Sequence, residues 1–179
     1  MDNRPIGVFD SGLGGLTCIP NLFGDLPEER VIYFGDTART PYGSKAISTV
    51  KAYTNQIADF LASKDVKMMV IACNTISATC LTDLRERYPN VPIVGIIEPI
   101  ANKIIREETE EIEIGVIATK ATVASGVYEK LIRSGNDKVK LFSGVLEAYD
   151  EEKIRLVNGK ITREIERKNI ALARYVVHF

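Results

Sequence analysis

At 179 residues, 45% hydrophobic and 26% charged, the chain has the make-up of an average globular protein and room for one α/β domain plus part of a second. A net charge of -1 argues against nucleic acid or an anionic membrane surface as partner, because both demand clustered Lys and Arg. No run approaches the roughly 18 apolar residues of a membrane span.

The first residues run into a strand-like segment without the apolar core and cleavage site of a secretory signal, so the expected compartment is the cytoplasm. Cys18, Cys73 and Cys80 are then expected to stay reduced. An odd count without C-x-x-C spacing argues against a disulfide framework and a structural zinc site. His178 is the only histidine, which leaves no His cluster for a metal and no choice of partner for a Ser-His-Asp triad.

In chain order, apolar runs predict strands over 6–9, 31–34, 68–72, 93–97 and 114–118. Helical patterns between them predict helices over 15–23, 47–63, 76–88, 100–107 and 122–134. This alternation is the signature of an α/β fold, a mostly parallel sheet flanked by helices. Strands three and four are nearly all apolar, which predicts burial on both faces. The domain reading is a first α/β lobe over 1–98 and a partial second lobe over 99–179, with the chain crossing at Glu98-Pro99. After about Phe142 acidic and basic residues interleave. Asn158-Gly159 then predicts a hairpin between 154–157 and 160–162, followed by a terminal helix over 165–177.

Ligands of parallel sheets bind beyond the carboxyl ends of the strands, so polar residues that immediately follow strands are the site candidates. Those are Asp10-Ser11-Gly12, Gly35-Asp36-Thr37, Cys73-Asn74-Thr75 and Thr119 through Thr122. The glycine-rich turn from Asp10 to Gly15 could hold a small carboxylate on its backbone N–H groups, with Asp10 acting on a proton or an ammonium group. Its spacing fits neither G-x-G-x-x-G nor the phosphate loop. The bland alternative is that Asp10 only caps the next helix. Pro41-Tyr42-Gly43 is a turn in which Tyr42 could equally be a packed ring. Cys73 falls between a buried strand and a helix start, where the helix dipole is expected to lower the thiol's pKa and supply a thiolate base. A small core hydrophobe is the competing role. Cys18 and Cys80 read as packing residues.

Taken together, Gly7-Val-Phe-Asp-Ser-Gly-Leu-Gly-Gly-Leu16, Tyr33-Phe-Gly-Asp-Thr-Ala-Arg39 with Pro41-Tyr-Gly43, Ala72-Cys-Asn-Thr75 and Gly115-Val-Ile-Ala-Thr119 resemble, in order, the signatures of the glutamate racemases within the aspartate/glutamate racemase family. The resemblance covers about residues 5–142. It implies a racemase-like first lobe with an incomplete or rearranged second lobe. It also implies interconversion of L- and D-glutamate by two opposed thiols for peptidoglycan synthesis, with no cofactor, neither pyridoxal phosphate nor metal. By the same resemblance Cys73 is the base toward the D-isomer, with Asp10 beside it as a catalytic group. Asp10, Ser11, Pro41, Tyr42, Gly43, Asn74, Thr75, Thr119 and Thr122 contact the substrate. Glutamate is then the small-molecule partner, and a homodimer is compatible with the reading. The family's second cysteine, in a Gly-Cys-Thr-His segment, has no counterpart here. The alternative is therefore a catalytically impaired, truncated homologue that binds glutamate or acts in regulation.

Overall fold

The structure, a computed structural model, describes residues 2–108 and 110–170. The chain divides into two compact units, the first running to Ile97 and the second beginning at Glu98.

The first unit is a four-stranded, wholly parallel sheet in the order β2-β1-β3-β4, with β1 at Ile6–Asp10, β2 at Val31–Gly35, β3 at Met68–Ile71 and β4 at Ile93–Gly95. All five residues of β1 are buried, as a central strand requires. At the edge the expectation of two-sided burial fails, because Val94 of β4 is 36% exposed. The chain builds β2 on one side of β1 and returns to build β3 on the other, so the order reverses between β1 and β3. At such a switch point the loops leaving two neighbouring strands diverge and leave a crevice.

Helices cover this sheet. A 3-10 turn at Gly14–Cys18 leads into α1 at Ile19–Asp25, whose first turn contains Pro20, where a missing N–H costs nothing. Helix α2, Ile47–Ser63, buries Val50, Thr54, Ile57, Ala58 and Leu61, one apolar stripe at helical spacing. Helix α3, Asn74–Arg87, buries Ile76, Cys80, Leu81 and Leu84 against the same core as Phe9, Met69 and Ile71.

The fourth strand is shorter than the predicted 93–97. It stops at Gly95, and α4, Ile97–Glu107, already contains Glu98 and Pro99 in its first turn, whose N–H groups have no intrahelical acceptor to lose.

The second unit has its own sheet in the order β5-β6-β7-β8. Strands β5, Ile112–Ile117, and β6, Val139–Tyr149, are parallel. Strands β7, Lys153–Asn158, and β8, Ile161–Glu166, continue it antiparallel, turning at Gly159 with φ of +60°. The single helix predicted over 122–134 is two, α5 at Lys120–Ser125 and α6 at Val127–Gly135, because Gly126 takes a left-handed φ of +62° between them. The predicted terminal helix is overturned at its start: Ile165 and Glu166 belong to β8, and Arg167–Asn169 form a 3-10 turn. The rest of that helix, with His178, lies outside the described residues. No helix among the described residues is long and apolar enough to cross a membrane.

Candidate active site

Strand β1 delivers Asp10 to the switch point, and the register aligns Asp10 with Gly35 on one side and Phe9 with Ile71 on the other. The ends of three strands are thereby brought level. The Asp10 carboxylate folds the following turn around itself, accepting the Ser11 N–H at 2.7 Å on one oxygen and the Gly15 N–H at 2.8 Å on the other. Asp10 thus anchors its own turn, although the N-cap position of the 3-10 turn is Leu13. With the Ser11 hydroxyl 3.5 Å away as a third donor, its carboxylate keeps capacity for one more of about four hydrogen bonds. Gly15 is obligatory in this turn, since an added Cβ would lie 2.7 Å from the Ala72 Cβ and 2.9 Å from the Asp10 Cβ.

Cys73 occupies the N-cap position of α3, with extended φ and ψ of -117° and 124°, and its carbonyl accepts the Ser77 N–H at 2.9 Å. Its sulfur lies 3.2 Å from the Ser11 hydroxyl oxygen, across the β1/β3 crevice. Only 6% of the residue is exposed. Burial first, and the Asp10 charge second, push the thiol up to about 11, against the opposing pull of the Ser11 hydroxyl and the N–H groups of Ile76 and Ser11. This reverses the expectation of a lowered pKa. The dipole of α3 is there, but desolvating a thiolate beside a carboxylate outweighs it. Burial also raises the thiols of Cys18, which donates to the Gly15 carbonyl at 2.9 Å, and of Cys80 inside α3.

After β2 the chain turns through Thr40-Pro41, a cis peptide, into Tyr42 and Gly43. Tyr42 is 1% exposed and shares the core that contains Cys73. Its hydroxyl donates to Asp36, and Arg39 Nε binds the same carboxylate oxygen at 2.6 Å while its guanidinium lies over the Tyr53 ring at 4.3 Å. The Tyr42 hydroxyl is thus committed to the protein, and what the exposed Pro41 and half-buried Gly43 present is chiefly backbone. Asp36, buried to 5% exposure and expected at the site from its place immediately after β2, is taken up by Tyr42 and Arg39. Thr40 Oγ1 lies 3.5 Å from the position of a Cβ on Gly12, so the two loops adjoin.

Asn74, half-buried, and Thr75, 4% exposed, follow Cys73 as the first residues of α3. The remaining candidates stand in the second unit. Thr119 is the N-cap of α5, where its Oγ1 accepts the Thr122 N–H at 3.4 Å and lies 3.1 Å from the Thr122 hydroxyl. The first unit therefore gathers Asp10, Ser11, Cys73, the loop of residues 41–43 and the start of α3 at Asn74 and Thr75, whereas Thr119 and Thr122 pair with each other. Among the described residues no three His, Cys, Asp or Glu side chains converge as a metal ion needs.

The profile of the family described as Asp/Glu/Hydantoin racemase matches residues 19–177. The chain belongs to that family. Within this racemase family it is 46% identical over 143 residues to the glutamate racemase of Streptococcus gordonii, covering 80% of the chain and 53% of the relative. It is 49% identical over 133 residues to that of Neisseria meningitidis, covering 74% and 49%. Among solved structures, the glutamate racemase of Francisella tularensis in complex with D-glutamate aligns with a TM-score of 0.74 at 42% identity, over 81% of this chain and 54% of that one. The chain spans about half the length of these relatives.

Proposed function

We propose that the chain carries the D-isomer half of a glutamate racemase site, with Cys73 as the base that removes the α-proton. The observation that supports this reading is the 3.2 Å approach of the Ser11 hydroxyl to the Cys73 sulfur at the strand-order reversal, with the Asp10 carboxylate bound to the same turn. Burial and, second, the Asp10 charge hold the thiol protonated; a ligand ammonium near Asp10 offsets the second and favours ionisation on binding. The thiolate then takes the Cα proton, and the electron pair left on carbon spreads into the substrate carboxylate. Backbone N–H groups of Gly12, Leu13 and Gly14 in the turn and the hydroxyl of Thr75 are the donors that stabilise it. Pro41, Tyr42, Gly43 and Asn74 complete the wall of this site, and the family resemblance adds Thr119 and Thr122 as further substrate contacts. In this half-reaction the Cys73 thiolate is the base, and no cofactor is called on. The whole protein supplies D-glutamate for peptidoglycan in the cytoplasm.

The test starts from each enantiomer separately in deuterated water. Deuterium enters the α-position of D-glutamate, which proton NMR follows as loss of the α-signal. L-glutamate, whose α-proton faces away from Cys73, exchanges far more slowly or not at all; absence of exchange from D-glutamate overturns the proposal.

A further inference from the structure

Tyr33 has no role in the mechanism so far, yet it touches the turn on which that mechanism depends. In β2 it pairs in register with Val8 of β1. Its phenol donates a 3.2 Å hydrogen bond to the Gly12 carbonyl, in the middle of the Asp10–Gly15 turn. The same carbonyl oxygen packs so closely on Gly35 that an added Cβ there would overlap it, and that Cβ would also stand 3.1 Å from the Tyr33 ring. The Gly12 carbonyl is therefore seated against Gly35 and tethered by the phenol. The residue before it is Ser11, whose hydroxyl reaches Cys73.

We propose that Tyr33 is a positioning residue: by tethering the Gly12 carbonyl it fixes the Ser11 hydroxyl over the Cys73 sulfur. The titratable groups that interact with Cys73 are Asp10 at the end of β1, Tyr33 in β2 and Tyr42 in the loop after β2, and Cys18 interacts in turn with Tyr33. Burial, followed by the charge of Asp10, raises the Tyr33 phenol well above its ordinary value, so it remains a donor across the working pH range. Without the tether the Gly12 carbonyl takes water as its donor. The Ser11 hydroxyl, already 3.5 Å from an Asp10 oxygen, then divides its time between carboxylate and solvent. The thiolate loses a hydrogen bond and forms less readily.

This inference rests on the proposed function only for the meaning of Cys73, and its test needs no amino acid. The full chain is alkylated with iodoacetamide between about pH 7 and 10, and labelling of Cys73 is followed by peptide mapping relative to Cys80 as the internal control for integrity. Ser11→Ala slows Cys73 labelling roughly tenfold or more, as loss of one hydrogen bond to a charged group predicts. Tyr33→Phe, which keeps the ring, slows it about threefold in the wild-type background and no further in the Ser11→Ala background, because the two act through one contact. Wild-type or faster labelling in Tyr33→Phe overturns the inference. So does unchanged labelling in Ser11→Ala, or slowing that multiplies in the double variant. A chain that labels as expected but does not exchange the hydrogen of D-glutamate overturns the proposed function and leaves the role of Tyr33 standing.

Discussion

At Cys73 opposing effects meet on one sulfur atom, and their balance sets when it can act. Burial and the Asp10 charge hold the proton on, while the Ser11 hydroxyl and two backbone N–H groups favour its loss. Removing the charge and keeping the shape should separate these contributions. In Asp10→Asn the thiol titrates at lower pH, so alkylation of Cys73 at about pH 8 becomes faster while exchange of the D-glutamate α-hydrogen falls by roughly tenfold or more. Labelling and NMR on the same preparation check both halves of that expectation. A variant slower in labelling would mean that Asp10 acts by ordering the turn alone. This balance was hidden from the sequence, where a thiol at a helix start reads as acidified. How deeply Cys73 is buried depends on Tyr42 and Ile76, residues that share its core only once the chain is folded. The Tyr42–Asp36 bond was hidden for a similar reason, since a carboxylate six residues away in a turn has many partners to choose from and only geometry selects one.

At the level of elements, the ends of β1, β2 and β3 converge because the three strands are parallel and in register, and the Asp10–Gly15 turn fits only because Gly35 leaves room for the Gly12 carbonyl. Gly35→Ala is accordingly expected to displace the turn, to cost about 1–3 kcal/mol in urea denaturation and to weaken exchange activity. Unchanged stability would show that the turn can yield. Strand positions were legible because buried parallel strands are short apolar runs bounded by polar residues, and α2 was legible to the residue because its apolar stripe is regular. Strand β6 was not, because its second half is exposed on both faces and the interleaved charges after Phe142 conceal any alternation. The hairpin at Asn158-Gly159 was legible from two residues, since the left-handed φ at Gly159 is what that pair permits. The break at Gly126 was missed because a lone glycine inside a helical pattern is compatible with continuation.

For the whole molecule, the raised pKa of Cys73 is also a statement about stability. Between the ordinary thiol range and about pH 11 the folded chain keeps a proton that the unfolded chain has released. Folded Cys73 therefore binds more protons than unfolded Cys73 in that window, and stability falls as pH rises through it. Melting curves from pH 8 to 11 should show an alkaline loss, of which Cys73→Ser removes a share on the order of 2 kcal/mol. The two units carry separate sheets, and the site candidates of the first are assembled by its own strands, which is why a chain that spans about half the length of its relatives still presents the thiol and the donor turn. The most direct test of the central claim compares α-hydrogen exchange of D-glutamate in deuterated water for three single variants. Cys18→Ser and Cys80→Ser should exchange at close to the wild-type rate, and Cys73→Ser should not exchange at all. Exchange that persists in Cys73→Ser would contradict the account.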